Sequence, residues 1–301
     1  MAYLGLILAV VFWGASFVAT KVALQELSPA TVVFTRFAIG LIVLFLIVVW
    51  RGELRSSSRR DLPALILLGI LGIPVHQWLQ ATGLETASAI VTSWIVATIP
   101  VLVALLGWIF LGEKLSAARV VGIFVSALGV AVVVSEGDFQ SLLRGRFGTS
   151  GDVLIALSAM NWAIFTVLSK RLLNRERLDG FHGLTSKPRG NVRQMLDIMA
   201  IGWVFTIPWV LTDGSLAELA HLRGESWSAL AFLGVACSGL AYFFWFSALS
   251  RIDATQAGVF LYLEPIVTVL LAAPILGEEF TVLTAVGGTA ILLGVWFVNR
   301  R

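Results

Sequence analysis

Long apolar stretches separated by short polar ones dominate the pattern of this chain. Ten of these stretches have the length, about 20 residues, that an α-helix needs to cross the ~30 Å hydrocarbon core of a bilayer. We place them at residues 2–24, 30–50, 62–84, 89–111, 117–135, 151–173, 194–213, 228–249, 255–276 and 282–298. Most are apolar on every face, as helices in lipid or in a bundle are. Because membrane strands alternate and are about half as long, the pattern predicts an all-α integral membrane protein with ten transmembrane helices.

The second half of the chain repeats the first. Residues 64–133 align without gaps on residues 229–298, with 18 identities in 70 positions. Matched glycines, prolines and glutamates carry more weight than matched leucines, which a Leu-rich composition produces by chance. The two halves also begin alike, because four residues recur at an offset of 149: Trp13 as Trp162, Val18 as Val167, Lys21 as Lys170 and Leu24 as Leu173.

These matches predict two five-helix repeats, at residues 1–135 and 151–298. The offset changes because the second repeat contains an additional polar stretch at 174–192, which has the Gly, Pro and charged residues of a flexible loop. We expect this loop to be cytoplasmic.

The fourth helix of each repeat carries the most specific signal. Residues 94–113 and 259–278 are apolar helices with a proline inside, Pro100 or Pro265, and each ends in Leu-Gly-Glu. A repeated apolar helix that is interrupted at the same place twice is the best sequence indication of a transporter's binding site. We expect both prolines to act as hinges.

The distribution of Lys and Arg predicts the orientation of the chain. With a cytoplasmic N-terminus, the inner loops and ends hold 16 basic residues and the outer loops hold 3. Basic residues concentrate on the cytoplasmic side of membrane proteins, so both termini are expected in the cytoplasm. Because each repeat has an odd number of helices, the second repeat enters the membrane with opposite polarity. Such inverted repeats place a substrate site near the midplane, at the interface of the halves.

Composition narrows the class of protein further. The chain is 58% hydrophobic and only 13% charged, whereas soluble domains are about 25% charged. The net charge of +3 follows from the topology, so nucleic-acid binding is not expected. The one cysteine, Cys237, excludes a disulfide framework or a Cys-based metal site. There is no nucleophile elbow, His-Glu-x-x-His or Walker loop, so we expect neither an enzyme nor an ATP-driven pump, and no metal or cofactor.

These features together resemble the drug/metabolite transporter superfamily, and within it the EamA type. The resemblance rests on the ten helices in two halves, on Trp-Gly-Ala-Ser-Phe at residues 13–17 and on the paired Pro…Leu-Gly-Glu helices. It covers nearly the whole chain apart from the loop. The resemblance implies an inner-membrane exporter of small metabolites, commonly amino acids, with aromatic amino-acid exporters as the nearest kind. It also implies that helices 1, 3, 4, 6, 8 and 9 line a central cavity, with helices 5 and 10 peripheral.

Candidate substrate-binding residues lie on one face of each of these six helices. Helices 1 and 6 carry aromatic and hydroxyl groups at helical spacing, helix 3 carries two polar groups one turn apart, helix 8 is aromatic, and helices 4 and 9 carry groups beside their prolines. The candidates are Trp13, Ser16, Phe17, His76, Gln80, Trp94, Thr98, Trp162, Thr166, Tyr242, Phe246, Tyr262 and Glu264. The alternative for most of them is ordinary packing, with Ser and Thr bonded to backbone carbonyls.

Two of the candidates are ionisable groups in mid-span. His76 and Glu264 are costly in a membrane, so a functional role is the default hypothesis, with a packing role as the alternative. The other cations of the spans, Lys21, Lys170 and Arg36, are expected to extend outward to the headgroups. Glycines in helices 5 and 10 suggest close helix contact, which could form a homodimer or act within one chain.

The sequence therefore predicts export of amino acids, including aromatic ones, by alternating access around a midplane cavity. The two halves would rock, with helices 4 and 9 as the mobile elements. The alternatives are transport of sugar phosphates or nucleotide sugars, or of lipophilic drugs. A phosphate would favour several cavity cations, and the three cations within the spans lie near membrane edges.

Overall fold

The computed structural model describes residues 2–53, 61–112, 116–135, 138, 148–173, 191–213, 215–249, 251 and 260–299. These residues form ten helical spans. They are α1 (Ala2–Ala23), α2 (Pro29–Trp50), α3 (Leu62–Thr86), α4 (Ala89–Val96 and Ile99–Leu111), α5 (Ala117–Ser135), α6 (Ser150–Leu173), α7 (Asn191–Val204 and Ile207–Asp213), α8 (Gly224–Phe232, Leu233–Leu240 and Ala241–Leu249), α9 (Leu261–Leu276) and α10 (Val282–Asn299).

This architecture confirms the prediction of an all-α membrane protein with ten helices. Nine of the described helices are long and apolar enough to cross a membrane, and α9 is a shorter apolar helix. No β-strand occurs among the described residues. A short 3₁₀ helix, Ser215–His221, connects α7 to α8. Most of the polar loop at 174–192 lies outside the described residues, as do Glu113 and the N-terminal part of the ninth predicted span.

Both α4 and α9 change their helical geometry at the same place in the repeat. In α4 a turn at residues 97–98 precedes Ile99–Leu111, and in α9 the 3₁₀ segment Leu261–Leu263 precedes Glu264–Leu276. The second pieces match exactly at the offset of 165. Each ends at a glycine in the left-handed conformation, with φ of 67° and 68°, where a side chain would be strained.

The prolines lie at the start of these second pieces, so each predicted helix is interrupted beside its proline, as the sequence indicated. Pro100 and Pro265 are the second residues of their segments. Proline has no N–H, and its ring clashes with the carbonyl four residues earlier, so it is best accommodated in the first turn of a helix. The interruption therefore falls just before each proline.

A second pair of irregularities lies in α3 and α8. Residues Leu71–Val75 of α3 and Leu233–Leu240 of α8 are π-helical, and the first range maps into the second at the offset of 165. A side chain from the other half of the chain binds a carbonyl of each segment. Asn161 Nδ2 donates to the Leu71 carbonyl at 2.7 Å, and Trp13 Nε1 donates to the Cys237 carbonyl at 3.2 Å. Single π-turns of this kind occur frequently at functional sites.

Helices α5 and α10 pack against each other through small residues. A Cβ added at Gly129 would lie 2.6 Å from the Gly287 carbonyl, and one added at Gly122 would collide with the Gly294 carbonyl. In the repeat, Gly122 corresponds to Gly287 and Gly129 corresponds to Gly294. Each glycine of α5 therefore contacts the α10 glycine that corresponds to the other glycine of α5. This crossed pairing is what an antiparallel contact between two equivalent helices produces, and it supports an inverted repeat.

The same contact accounts for the glycines without a second copy of the chain. The outer faces of the two helices carry exposed apolar side chains such as Phe124 and Trp296, as expected for helices in contact with lipid. A homodimer through α5 and α10 stays a prediction.

Candidate functional site: a cavity between the two repeats

A cavity lies near the middle of the helices, between the two halves of the chain. Sixteen of the described side chains line it, and the empty volume among them is about 800 Å³, a figure that includes open solvent at its mouth. The lining helices are α1, α3, α4, α6, α8 and α9, as the family resemblance implied, and α2 adds one residue. No residue of α5 or α10 is among them.

Equivalent positions of the two repeats face this cavity. Five pairs of lining residues are related by the repeat offsets: Trp13 and Trp162, Gln77 and Tyr242, Gln80 and Trp245, Val96 and Leu261, Ile99 and Glu264. The backbone frame is therefore shared between the halves, whereas the chemistry differs in most pairs. The lining positions of the two repeats are thus equivalent, whereas the charges of their side chains differ.

Aromatic side chains form two opposite walls of the cavity. On one side the Trp13 ring lies 5.2 Å from Trp245 and 5.5 Å from Tyr242. On the other side the Trp162 ring lies 4.7 Å from His76 and stacks on Phe165 at 4.8 Å. Trp13 is fixed by its hydrogen bond to the π segment of α8. The walls are thus pre-ordered surfaces on which a flat or apolar group can pack.

His76 is buried and bonded to the neighbouring helix. Its Nδ1 lies 3.1 Å from the Ser158 carbonyl of α6, while the ring remains part of the cavity lining. A carbonyl can only accept a hydrogen bond, so Nδ1 carries the proton in this contact. The Nε2 atom of a neutral ring is then an acceptor.

Glu264 is buried at the closest approach of α1 and α9. A Cβ added at Gly14 would lie 2.7 Å from the Glu264 carbonyl, so only glycine allows this approach. Thr268 Oγ1 donates to both the Gly14 and Glu264 carbonyls, at 2.8 and 2.9 Å, and ties the two helices together. The Glu264 carboxylate lines the cavity and makes neither a hydrogen bond nor an ion pair to the described residues.

Arg36 is a cavity residue that the sequence analysis missed. We expected it to extend outward, but its side chain is buried at 5% exposure and lines the cavity. Its Nε donates to Ser238 Oγ at 3.1 Å and its Nη1 to Gln77 Oε1 at 3.3 Å. These polar groups lie on α8 and α3, and together they hold the guanidinium inward.

The structure brings eight of the thirteen predicted substrate-binding residues to the cavity. These are Trp13, Ser16, Phe17, His76, Gln80, Trp162, Tyr242 and Glu264, and the predicted hinge Pro100 lines it as well. The cavity also contains seven residues outside the predicted set: Arg36, Gln77, Val96, Ala97, Ile99, Trp245 and Leu261. Gln77 and Trp245 belong to the polar stretch of helix 3 and the aromatic face of helix 8 that the sequence indicated, although they were not among the thirteen predicted residues.

The other five predicted residues do not line the cavity. Trp94 packs on Gly288 of α10, and the Thr98 and Thr166 hydroxyls donate to carbonyls of their own helices. Phe246 stacks on Tyr242, and the Tyr262 hydroxyl accepts a hydrogen bond from Asn299. Pro265 also lies outside the lining. Substrate contact by these residues stays a prediction.

One end of the bundle is held together by Lys21 and Glu278. The Glu278 carboxylate accepts hydrogen bonds from the Ala89 and Ile90 amides at 2.7 and 2.9 Å, and so caps the N-terminus of α4. Lys21 Nζ lies 3.8 Å from this carboxylate and donates to the Ala87 carbonyl at 2.6 Å. The expectation that Lys21 extends to the headgroups is therefore wrong. The side chain of Lys170 lies outside the described residues.

A bundle of membrane-spanning helices with a cavity between two repeats is an architecture found in membrane transporters. The described residues contain no group of three or more His, Cys, Asp or Glu side chains that could hold a metal ion.

Comparison with known proteins specifies the family. The model of the EamA-like transporter family matches residues 1–135 and 149–300, so the chain belongs to this family. An uncharacterized transporter of Archaeoglobus fulgidus is 31% identical over 298 residues, covering 98% of each chain. A probable terminal-alkyne amino-acid exporter of Streptantibioticus cattleyicolor is 28% identical over 296 residues, covering 98% of this chain and 92% of that one. A solved crystal structure with 20% identity superposes with a TM-score of 0.66 over 98% of this chain and 95% of the other, and it shares the fold.

Proposed function

We propose that this EamA-family membrane transporter exports amino acids, including aromatic ones, from the cytoplasm. The observation that carries the proposal is the cavity itself, which is built from equivalent positions of both repeats and has two tryptophan-based walls. Glu264 contributes a buried carboxylate that can receive a substrate ammonium group. The similarity to a probable amino-acid exporter supports the same substrate class.

The proposed mechanism is alternating access by rocking of two inverted repeats. Both termini would be cytoplasmic and the membrane would be the inner, or plasma, membrane. The interrupted helices α4 and α9 would be the mobile elements, since each carries cavity residues at its interruption. The contact of Glu278 with the start of α4 would close the outer end in this conformation.

The alternative substrates fit the cavity less well. A sugar phosphate or nucleotide sugar carries at least two negative charges, whereas Arg36 is the one Arg or Lys among the described lining residues. A lipophilic drug would bury the polar ends of Gln77 and Gln80 without offering them hydrogen-bond partners. Neither alternative uses the carboxylate of Glu264 and the guanidinium of Arg36 together.

Counterflow in proteoliposomes tests the proposal. Vesicles would be loaded with unlabelled L-phenylalanine, L-tryptophan, L-leucine, glucose 6-phosphate, UDP-glucose or tetraphenylphosphonium, and uptake of the labelled compound would be followed. We expect counterflow for the amino acids alone. Filling the cavity with Ala97→Phe should abolish it, whereas Leu128→Phe on the exposed face of α5 should not. Counterflow of a phosphate ester or of the lipophilic cation, without any amino acid, would overturn the proposal.

A further inference from the structure

Arg36 occupies an unusual electrostatic position in the cavity. It lies on α2, which contributes no other lining residue, and its side chain is nine-tenths or more buried. Its two hydrogen-bond partners, Ser238 and Gln77, are both neutral. The Phe37 ring centroid lies 5.3 Å from the guanidinium carbon and covers a further side of the group.

No described carboxylate lies within ion-pair distance of this guanidinium. Burying an arginine without a counter-charge is costly, because hydrogen bonds to neutral groups restore only part of the lost hydration. Proteins retain such a charge where it performs a function. A negatively charged ligand group in the cavity would supply the missing counter-charge.

The geometry of the hydrogen bonds leaves one edge of the guanidinium for a ligand. Nε is occupied by Ser238 and one N–H of Nη1 by Gln77, while Nη2 makes no hydrogen bond within the described part of the chain. One N–H of Nη1 and both N–H groups of Nη2 are therefore available to a ligand. Two parallel N–H donors at this spacing match the two oxygens of a carboxylate.

Glu264 is the complementary charge of the same cavity. Its carboxylate is also buried and has no ion-pair partner among the described residues, although Arg36 lines the same space. Arg36 and Glu264 line the same cavity without pairing, so a ligand that carries both charges would give each of them a partner. An α-amino acid carries its carboxylate and its ammonium group on one carbon, and its side chain would then meet the tryptophan walls.

We propose that Arg36 anchors the substrate carboxylate, that Ser238 and Gln77 are positioning residues for its guanidinium, and that Glu264 receives the ammonium group. This inference rests on the proposed amino-acid transport and narrows it. The substrates are zwitterionic α-amino acids with a free carboxylate. Amino-acid amides and simple amines, which lack the carboxylate, are excluded from tight binding.

Binding of three matched ligands to the full-length protein in detergent tests this assignment. L-phenylalanine carries both charges, L-phenylalanine amide lacks the carboxylate, and 3-phenylpropionate lacks the ammonium group. We expect the wild-type protein to bind L-phenylalanine at least about tenfold more tightly than the amide, because a charge-assisted bidentate contact is lost. In Arg36→Met the two affinities should become equal. Arg36→Lys should give an intermediate ratio, since it retains the charge and loses the fork.

The controls separate the anchoring role from a structural one. Arg223→Met removes an exposed arginine that pairs with Glu26 and should leave all three affinities unchanged. Thermal unfolding without ligand shows whether each variant is folded. If Arg36→Met does not fold, Arg36→Lys carries the test through its ratio of affinities. Equal losses for L-phenylalanine and its amide, or an unchanged ratio in both variants, would overturn the anchor.

The outcomes also distinguish this inference from the proposed function. If the wild-type protein binds 3-phenylpropionate in an Arg36-dependent way but binds no amino acid, the carboxylate anchor stands and amino-acid transport fails. If L-phenylalanine binds and is transported with the same affinity in Arg36→Met, the proposed function stands and the anchor fails.

Discussion

At the scale of single residues, the cavity acquires its chemistry where the two repeats differ. Glu264 stands at the position that Ile99 occupies in the first repeat, and His76 at the position that Ala241 occupies in the second. Ile99 and Glu264 both line the cavity, so the two repeats present equivalent positions to it that differ in charge. A carboxylate at this depth is costly unless a ligand or a proton compensates it. Glu264 is therefore the clearest single test of ammonium recognition.

We expect Glu264→Gln to weaken L-phenylalanine binding by about tenfold or more, because a hydrogen bond between two charges becomes one to a neutral amide. Binding of 3-phenylpropionate, which has no ammonium group, should be unchanged or improved. Titration of both ligands against the purified variant measures the difference. Glu85→Gln, at an exposed carboxylate near the end of α3, is the matched control. Equal effects on both ligands would show that Glu264 acts through packing alone.

The sequence identified the mid-span carboxylate and histidine but not the arginine. His76 and Glu264 lie in the middle of apolar stretches, where an ionisable group attracts attention by itself. Arg36 lies near the start of α2, and a long side chain there can extend to the headgroups or into the bundle. Its direction is set by Ser238, which is 202 positions away in the chain. Lys21 was misjudged for the same reason, since its partners Glu278 and Ala87 lie on other helices.

At the scale of helices, the irregular segments of one repeat recur in the other. The same offset of 165 residues relates three features of the repeats. They are the interruptions of α4 and α9, the π segments of α3 and α8, and the glycines at the contact of α5 with α10. The helices of the first two pairs, α4 with α9 and α3 with α8, all contribute lining residues to the cavity, whereas α5 and α10 contribute none. The irregular helices thus carry the site, whereas the regular pair α5 and α10 forms a close-packed support.

We expect Gly294→Ala to destabilise the protein by about 1–3 kcal/mol, the usual cost of overpacking. A Cβ at this position would lie 2.5 Å from the Gly122 carbonyl and from the Ser126 amide nitrogen, and neither backbone can move away freely. Gly5→Ala is the matched control, because its Cβ would meet Phe244 at an ordinary 3.6 Å. Thermal unfolding in detergent measures both variants. An equal unfolding temperature for the two would contradict the close contact of α5 and α10.

Helix positions were predictable to within a few residues, and helix irregularities were predictable only in part. The ten spans follow from hydropathy, because a bilayer requires long apolar helices. The paired prolines located the interruptions of α4 and α9, and each helix restarts one residue before its proline. The π segment of α8 contains no proline, and nothing in residues 233–240 indicates an altered hydrogen-bond pattern.

At the scale of the whole molecule, the repeat explains why the site lies between the halves. Trp13 of α1 donates a hydrogen bond to the π segment of α8, and Asn161 of α6 donates one to the π segment of α3. Each half therefore satisfies a backbone carbonyl in an irregular helix of the other half. The sequence predicted the repeats and a midplane site. It could not show that α2 packs on α8, where Gly40 meets Ser238, because apolar helices offer many equivalent faces. That contact is what places Arg36 in the cavity.

The most direct test of the account is a reversible lock between α4 and α9. Cysteines at Ser88 and Glu278, in a Cys237→Ala background, would place two thiols at the end where Glu278 now caps α4. A short thiol crosslinker that reductant cleaves would then join the two helices. The single-cysteine variants, treated in the same way, are the controls.

Counterflow of labelled L-phenylalanine would be measured in the same proteoliposomes before crosslinking, after it, and after reduction. Alternating access between the repeats predicts that flux stops when the helices are joined and returns when the link is cleaved. Undiminished flux with both helices quantitatively crosslinked would contradict it.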